Sequence, residues 1–436
     1  MKYVIIGNSA SGIAAVSSIR EYDKTGKITI ISSEPYLNYS RPLISYLLAK
    51  KIGRNQILYR DKDFYKKNKV DLVLKRKAVK LNLKRKRVLL DNKQEVPFDK
   101  LLIATGGKPI NPEVKGIDAK GVFNFVDLSC AKRIEKFIKN NKVKNAVILG
   151  GGLIGLKAAE ALIALNIKLT LVELADRVLS STFDKKASLI IEEALKKHKC
   201  DLITKNTIVE VKTKNNIINA VELKDKSILH ADLLISAIGV RPNIELVNNT
   251  SIKTNRGIIA DKFMRTNIKD IYVAGDCCEA SDLISKTKKA IAIWPLAVLQ
   301  GKIAGYNMAG IRKEYPGGFA MNSVELCGIP TISAGETNPV GTQYEIISDY
   351  VPKESIYRKI VLKENRIVGV IFMGKIERAG IYIGLIKEAV NLASCFFSES
   401  GSSFSKKEYF LKDNFGLISL PQEYRKYLVS GEVAII

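Results

Sequence analysis

The chain's fold is decided by residues 147–155, VILGGGLIG. Residues 147–149 are a short apolar run typical of a buried strand, and residues 156–165 continue as an apolar helical pattern. Between them lies a complete G-x-G-x-x-G turn. A helix that begins in such a turn binds pyrophosphate, because its backbone N–H groups and the positive end of its dipole face the anion. We therefore expect a dinucleotide to contact Gly150, Gly152, Leu153, Ile154 and Gly155.

The next strand pattern, at residues 168–172, ends at Glu173. A carboxylate at this position accepts hydrogen bonds from the ribose hydroxyls of an adenosine and repels a 2′-phosphate. The pattern therefore predicts NADH as the dinucleotide and Glu173 as its ribose ligand. Arg177 is close enough in the sequence to keep NADPH as an alternative.

A second copy of this pattern opens the chain. An apolar strand at residues 4–6 runs into GNSASG, residues 7–12, and a helical pattern follows. The middle glycine is replaced by Ser9, which is still small enough for a pyrophosphate to approach the backbone. Glu34 follows the next strand, as Glu173 does in the first copy. We expect dinucleotide contacts from Gly7, Ser9, Ala10, Gly12 and Glu34.

Two dinucleotide turns in one chain indicate one resident cofactor and one dinucleotide substrate. A flavin enzyme that exchanges a hydride with a nicotinamide has this arrangement. Four further segments follow in order: LLIATGG at 101–107, LLISAIGVRPN at 233–243, IYVAGD at 271–276 and WPLA at 294–297. Together with the two turns, they resemble the flavoprotein family with two dinucleotide folds that includes the pyridine nucleotide–disulfide oxidoreductases.

The resemblance implies an α/β fold with two Rossmann-like three-layer domains and a C-terminal α+β interface domain that makes a homodimer. Residues 1–110 and 228–310 would bind FAD, residues 111–227 would bind NAD(P)H, and residues 311–436 would form the interface domain. Asp276 would hold the ribityl chain, and Thr105 and Gly106 would form the crossover between the domains. The helix at Pro295 would face the flavin pyrimidine edge. The remaining implied contacts are Ala104, Gly275, Leu296 and Ala297 for FAD, and Gly239 for NADH.

The branch of the family is indicated by residues 34–45, EPYLNYSRPLIS, which contain no cysteine. A thiolate is required for disulfide exchange or a sulfenate cycle, so we expect neither chemistry there. Residues 40–43, SRPL, instead resemble the rubredoxin- and ferredoxin-linked NAD(P)H oxidoreductases and the flavin oxidoreductase found beside carbon monoxide dehydrogenase. Arg41 and Pro42 would then lie at the flavin, where Arg41 tunes its potential or contacts an acidic partner. The alternative for Arg41 is a surface ion pair.

Lys157 marks a second departure, because many relatives have a glutamate at this position near the nicotinamide. We expect Lys157 to place a cation near the hydride path, and we assign Arg41 and Lys157 as candidate catalytic residues. Cys277 and Cys278 adjoin Asp276, but neighbouring cysteines close only a strained ring, so we assign them no redox role.

Composition limits the remaining classes of function. The chain has 436 residues, six cysteines, two histidines and a formal net charge of +26. The cysteines show no Cys-x-x-Cys spacing, so no metal site is expected, and the scattered thiols favour the cytoplasm. No apolar run is long enough to cross a membrane. The basic runs at residues 75–77 and 84–87 lie in a predicted β-hairpin. No aromatic residues interleave with them, so we expect no surface on which the bases of a single-stranded nucleic acid could stack.

These patterns lead to one prediction of function. We expect an FAD-dependent NADH oxidoreductase that exchanges electrons with a small acidic iron–sulfur protein, either a ferredoxin or a rubredoxin. The alternatives are an NADH oxidase that produces hydrogen peroxide and a non-catalytic FAD-binding nucleotide sensor. A lysine-rich proteome would equally explain the positive charge, without any acidic partner.

Overall fold

A computed structural model describes residues 1–393 of the chain. Its strands form two parallel sheets, one larger antiparallel sheet and several short ladders, which are antiparallel except for the parallel pairing of Ile258–Ile259 with Cys278–Ser281. The helices are α1 Ala10–Tyr22, α2 Ile44–Leu48, α3 Phe64–Lys67, α4 Leu128–Asn141, α5 Leu153–Ala164, α6 Lys185–Lys197, α7 Trp294–Met308 and α8 Ala379–Lys387. Short 3-10 turns lie at Arg41–Leu43, Glu245–Val247 and Pro352–Glu354.

The first parallel sheet contains the N-terminal strand at its centre. Ile5 pairs with Ile30 on one side and with Leu102 on the other, and all three are fully buried. Helices cover both faces of such a sheet, which is why its strands are almost continuously apolar. In spatial order the strands are Ile271–Val273, Lys100–Ile103, Lys2–Ile6, Lys27–Ser32 and Val70–Leu74.

The second parallel sheet is built in the same way around the strand that precedes the Gly150 turn. Ile148 pairs with Leu171 and with Ile235. In spatial order the strands are Cys200–Ile203, Lys168–Val172, Asn145–Leu149, Leu233–Ser236 and Val122–Asn124. An antiparallel ladder of Ile208–Lys214, Ile217–Leu223 and Ile228–His230 covers it and shares its core. The predicted pair of Rossmann-like units is confirmed.

The predicted domain boundary at residue 228 is wrong. The strands Ile228–His230 and Leu233–Ser236 form hydrogen-bonded ladders within the second unit, so the chain returns to the first unit only after Ser236. The return is made by Val240–Pro242, which pairs antiparallel with the outgoing strand Gly107–Pro109. This paired crossover lies where the sequence placed it, beside Thr105 and Gly106.

The basic hairpin predicted near residue 80 is present. Ala78–Asn82 pairs antiparallel with Arg87–Leu90, which in turn pairs with Glu95–Pro97. Its turn lysine Lys86 forms an ion pair with Asp270 on the first unit. Two short pairings, of Cys278–Ser281 with Ile258–Ile259 and with Lys288–Lys289, complete this unit.

The third unit is an antiparallel sheet covered by α8. Its strands, in spatial order, are Met321–Leu326, Ile329–Gly335, Arg366–Met373, Ile356–Lys363 and Glu345–Val351. Residues 311–320, assigned from sequence to this unit, partly pack on the first, since Tyr315 lies in its core and Gly318 bridges to Asp282. Residues 394–436 of the predicted interface domain lie outside the described residues.

Helices α1 and α7 cross at backbone contact, and this crossing positions the site. A Cβ atom on Gly301 would lie 2.2 Å from the carbonyl oxygen of Ser11, and one on Gly305 would lie 2.6 Å from that of Ala15. Both distances are far below any real contact, so only glycine permits this approach. As a result, the N-terminus of α7 is held beside the Gly7 turn.

Candidate active site

One large cavity lies where the three units meet. Its volume is about 1540 Å³, which exceeds the ~300–1,000 Å³ typical of a site for one small ligand. The two glycine-turn helices, α1 and α5, and the N-terminus of α7 all contribute to its wall. The wall also includes Met321 and Asn322 of the third unit and residues of α8. The cavity therefore has room for more than one ligand.

The Gly7 turn is shaped by backbone contacts that exclude a side chain. Gly7 has φ +129°, and a Cβ there would lie 2.1 Å from the carbonyl oxygen of Ala104. Ser9 caps α1 without a side-chain hydrogen bond, and residues 9–12 line the cavity. The N–H groups of the first turn therefore face the cavity without an acidic side chain among them, which suits a pyrophosphate.

Asp276 provides a carboxylate on the cavity wall. Burial raises its pKa, while the Arg41 guanidinium acts in the opposite direction. The preceding Gly275 donates its N–H to Gln300 Oε1 at 2.8 Å. Gly275 has φ +83°, and a Cβ built on it would lie 2.4 Å from the Ser11 hydroxyl oxygen. This holds Asp276 at the edge of the sheet, facing the cavity, where it can accept hydrogen bonds from a polyhydroxyl chain.

The crossover turn is closed by reciprocal hydrogen bonds. Thr105 Oγ1 donates to the carbonyl of Asn243 at 2.7 Å, and the Asn243 N–H donates to the carbonyl of Gly106 at 2.9 Å. Ala104, Thr105 and Gly106 all line the cavity, and no atom lies within 4 Å of a Cβ built on Gly106. A ligand can therefore approach this backbone closely.

Glu34 and Arg41 form an ion pair on the cavity wall. The other Glu34 oxygen accepts from the Tyr39 hydroxyl at 2.6 Å, and Arg41 Nη1 donates to the carbonyl of Val126 at 3.0 Å. The alternative of an ion pair for Arg41 thus matches the structure, but the pair faces the cavity and not an outer surface. Each carboxylate oxygen keeps an acceptor position for a ribose hydroxyl.

The N-terminus of α7 reaches the cavity through Trp294, Pro295 and Ala297. Proline occupies the first turn, where no intrahelical acceptor is needed for its missing N–H. Leu296, which the resemblance implied as a further cofactor contact, is not on the cavity wall. It packs within 2.5 Å of a Cβ built on Gly318, because successive positions on a helix face different directions.

The Gly150 turn repeats the construction of the Gly7 turn. A Cβ on Gly150 would lie 2.5 Å from the carbonyl oxygen of Ala237, and one on Gly155 would lie 1.9 Å from that of Gly150. Around Gly152, by contrast, no atom lies within 4 Å of a Cβ. Gly150 and Gly155 therefore serve the turn itself, and Gly152 leaves an open approach for a ligand.

Glu173 holds this second turn with both carboxylate oxygens. Oε2 accepts from the N–H of Gly151 at 2.5 Å, and Oε1 accepts from the N–H of Ala175 at 2.7 Å. Arg177 is engaged by Asp176 at 2.8 Å. The cavity wall includes Leu153, Ile154 and Lys157 but not the other predicted NADH contacts, which are Gly150, Gly152, Gly155, Glu173 and Gly239.

Lys157, in the second turn of α5, contacts residues of all three units. Its ammonium forms an ion pair with Glu160, donates to the carbonyl of Glu325 at 3.2 Å and lies 4.7 Å from the centre of the Tyr46 ring. Glu160 also accepts from the N–H of Cys327 at 2.6 Å. The predicted cation is therefore present at the cavity, but a carboxylate one turn away compensates its charge.

Ser45 is a cavity residue that sequence reasoning missed. The side chain lies on α2, is 4 % exposed and lines the cavity, yet its hydroxyl has no hydrogen-bond partner in the structure. Buried hydroxyl groups are normally paired, so an unpaired one on a cavity wall points to a ligand. No local pattern signals this, because the unpaired state depends on the tertiary surroundings.

Comparison with known proteins identifies the family. A model described as "Pyridine nucleotide-disulphide oxidoreductase" matches residues 1–301. The chain belongs to this family. A second model, "Rubredoxin NAD+ reductase C-terminal domain", matches residues 321–390 of this oxidoreductase. The resemblance inferred from the sequence motifs is confirmed, and the chain is an FAD-dependent NAD(P)H oxidoreductase.

Several relatives cover most of this oxidoreductase. The epsilon subunit of NADH-dependent phenylglyoxylate dehydrogenase from Aromatoleum evansii is 30% identical over 90% of the chain and 92% of its own length. Nitrite reductase [NAD(P)H] from Bacillus subtilis is 29% identical over 89% of the chain, which spans only 48% of that relative. The structure of NADH:rubredoxin oxidoreductase from Clostridium acetobutylicum superposes with a TM-score of 0.73, at 25% identity over 90% of this chain and 96% of that one.

The described cysteines of this oxidoreductase lie away from the cavity. Within residues 1–393, no cysteine lines its wall. Cys277 and Cys278 are buried, and burial raises the pKa of both thiols. Burial also raises the pKa of Cys200 and of Cys327 to about 12. A thiolate, the reactive form, is therefore disfavoured at each of these four positions.

The described residues of this oxidoreductase contain neither a candidate metal centre nor a candidate membrane-spanning helix. Within residues 1–393, no cluster of at least three histidine, cysteine, aspartate or glutamate side chains is arranged to hold a metal ion. In the same residues, no helix combines the length and apolar character needed to cross a bilayer. His198 and His230 are both exposed, and His230 faces Asp232 at 3.3 Å.

Proposed function

We propose that this oxidoreductase oxidises NADH and passes the electrons singly to a small iron–sulfur protein, a rubredoxin or a ferredoxin. The observation that carries the proposal is the shared cavity, which is lined by both glycine-turn helices and by no described cysteine. The C-terminal match to a rubredoxin reductase domain supports this class of acceptor.

The residues on the cavity wall fit FAD. The first turn of α1 would hold the pyrophosphate, Glu34 the adenosine ribose, and Asp276 the ribityl hydroxyls. The first turn of α7 presents the positive end of its dipole to the cavity, which favours negative charge on the ligand nearby. When bound, FAD supplies the conversion between the two-electron chemistry of a nicotinamide and the one-electron chemistry of an iron centre.

The Gly150 turn and α5 would place the nicotinamide dinucleotide. Gly152 leaves room for the pyrophosphate, and Glu173 would bind the ribose 2′-hydroxyl and disfavour the 2′-phosphate of NADPH. Leu153 and Ile154 lie on the cavity wall, at the start of the same helix. The ion pair of Lys157 and Glu160 would make this part of the cavity wall polar without adding net charge. Its contacts with Glu325 and Cys327 would hold the third unit against α5.

The position of the cysteines supports a direct transfer of electrons to a protein. Disulfide exchange requires a thiolate at the flavin, and none of the described cysteines lines the cavity. The segment at residues 40–43 places Arg41 and Pro42 on the cavity wall instead. We propose Arg41 as a residue that adjusts the charge around the flavin, through its pair with Glu34 and its field on Asp276.

An anaerobic titration tests the proposal. Purified protein saturated with FAD is mixed with NADH, and the flavin absorbance is followed before rubredoxin, ferredoxin, oxygen or coenzyme A disulfide is added. We expect NADH to bleach the flavin, and an iron–sulfur protein to restore its absorbance faster than oxygen or the disulfide does. Bleaching that only oxygen reverses would favour an NADH oxidase, and a flavin that NADH never bleaches would favour a nucleotide sensor.

A further inference from the structure

A stack of side chains leads from the cavity wall to solvent. Trp294 lines the cavity, and its ring packs edge-on against the Tyr59 ring, with centroids 5.1 Å apart and planes at 85°. The Arg60 guanidinium lies over the Tyr59 ring, 4.6 Å from its centroid. Arg60 itself is exposed. The stack therefore joins the N-terminus of α7 to a cation on the outside of the protein.

The segment that carries this stack is held to the Gly7 turn. Asn38 is buried, and its side-chain oxygen accepts from the N–H of Arg60 at 2.7 Å. Its amide group donates to the Tyr65 hydroxyl at 3.1 Å, and that hydroxyl donates to Asn8 Oδ1 at 2.7 Å. Because Asn8 lies in the turn, the exposed arginine keeps a set position relative to the cavity.

The charges around Arg60 are unevenly paired. Asp61 is engaged by Lys67 at 2.9 Å. Arg60, Lys62, Asp63 and Lys66 are exposed, and within residues 1–393 none of them takes part in an ion pair. Three unpaired cations therefore stand against one unpaired carboxylate. We define the Arg60 surface as Tyr59, Arg60, Lys62 and Lys66. It presents a net excess of unpaired positive charge, and its Arg60 guanidinium lies over the Tyr59 ring, which packs on the cavity residue Trp294.

We propose that the Arg60 surface is the docking site for the acidic iron–sulfur protein, an inference that rests on the proposed function. Arg41 is the cation that the sequence suggested for this contact, but its guanidinium is committed to Glu34 and Val126 on the cavity wall. An acidic protein is steered by unpaired exposed charges. A protein bound at the Arg60 surface would be separated from the cavity by the packed rings of Tyr59 and Trp294.

Charge reversal with a matched control tests this surface. The variants are Arg60→Glu, Arg60→Gln and Lys196→Glu, the last being an exposed lysine on α6 that lies off the cavity wall. Arg60→Glu and Lys196→Glu change the net charge equally, so a general effect of charge would appear in both. The measured quantities are kcat/KM for rubredoxin and, separately, the rate at which NADH bleaches the flavin.

We expect Arg60→Glu to lower kcat/KM for rubredoxin by roughly five- to tenfold at low salt, with Arg60→Gln intermediate and Lys196→Glu near the wild type. The differences should shrink between about 0.01 M and 0.1 M salt, as the Debye length falls from roughly 30 Å to 10 Å. The rate of flavin bleaching should be the same in all variants, because that step lies inside the protein.

Three results would overturn the docking site. Equal effects of Arg60→Glu and Lys196→Glu would show that only net charge matters. A slower bleaching step in Arg60→Glu would place the arginine in the cavity chemistry instead. If wild-type protein reduces rubredoxin normally and either result appears, the proposed function stands without this surface. If NADH bleaches the wild-type flavin but rubredoxin is never reduced, the acceptor and the surface fail together.

Discussion

Lys157 and Glu160, one turn apart on α5, form an ion pair that is largely shielded from solvent. Each of the two side chains also forms a hydrogen bond with the backbone of the third unit. Lys157 donates to the carbonyl of Glu325, and Glu160 accepts from the N–H of Cys327. These contacts hold the hairpin between Met321–Leu326 and Ile329–Gly335 against α5. The pair therefore fixes how the third unit closes the cavity.

Removing one partner of this pair should cost more than removing both. Lys157→Met leaves the Glu160 carboxylate shielded and uncompensated, which typically costs a few kcal/mol in buried pairs. In Lys157→Met/Glu160→Gln no isolated charge remains, so we expect the melting temperature to recover part of the loss. Thermal unfolding of both variants measures this. A double variant less stable than Lys157→Met would contradict the view that Lys157 stabilises the protein by compensating the charge of Glu160.

Ser45→Ala should weaken ligand binding without lowering the stability of the apoprotein. The hydroxyl has no partner in the structure, so its removal should leave the apoprotein unchanged or stabilise it by up to ~1 kcal/mol. If the hydroxyl binds a ligand in the cavity, the same change should raise the dissociation constant of FAD or NADH by about three- to tenfold. Calorimetry of the apoprotein and ligand titrations measure the two effects. A clear loss of apoprotein stability would contradict the unpaired state.

Gly152→Ala and Gly155→Ala should behave oppositely, although they are three positions apart. A methyl group on Gly152 meets no protein atom within 4 Å, so the variant should fold with nearly unchanged stability but lose affinity for NADH by at least about tenfold. A methyl group on Gly155 would lie 1.9 Å from the carbonyl oxygen of Gly150, so that variant should be strongly destabilised. Circular dichroism and NADH binding together check both. Normal NADH affinity in Gly152→Ala would contradict the proposal that the dinucleotide binds at this turn.

Glu173→Ala should reduce the preference for NADH over NADPH. The substitution removes the proposed ribose ligand and two hydrogen bonds that hold the turn, so we expect a loss of roughly 1–3 kcal/mol in transition-state stabilisation with NADH. The ratio of kcat/KM for the two dinucleotides is the measurement, and Arg177→Ala is the control for the neighbouring charge. A wild-type preference for NADPH would contradict the role given to Glu173.

Local patterns predicted much of this structure correctly. Both glycine turns, the acidic residues that end the second strands and the Gly275–Asp276 segment follow from spacing of a few residues, since a turn's backbone requirements are expressed in its own sequence. The strand Leu233–Ser236 was assigned to the wrong unit, because its ladder with Asn145–Leu149 joins residues far apart in the chain. Only three-dimensional packing could decide between the two sheets.

The chemistry of single side chains was less predictable. The sequence singled out Arg41 and Lys157 as cations, but it did not show that Glu34 and Glu160 compensate them. Ser45 and the stack of Arg60, Tyr59 and Trp294 were missed, because their importance depends on contacts between separate elements. Leu296 was assigned to the cofactor with its neighbours, although helix geometry turns it toward Gly318.

We propose that electrons pass from NADH to a one-electron protein acceptor without the participation of a thiol. The most direct measurement uses a folded, FAD-loaded variant in which all six cysteines are replaced by serine or alanine. Under anaerobic conditions, we expect this variant to reduce two molecules of rubredoxin per NADH. We also expect NADH to bleach its flavin at the wild-type rate. A variant that binds FAD normally but no longer reduces rubredoxin, or a long-wavelength thiolate–flavin band in the reduced wild type, would contradict it.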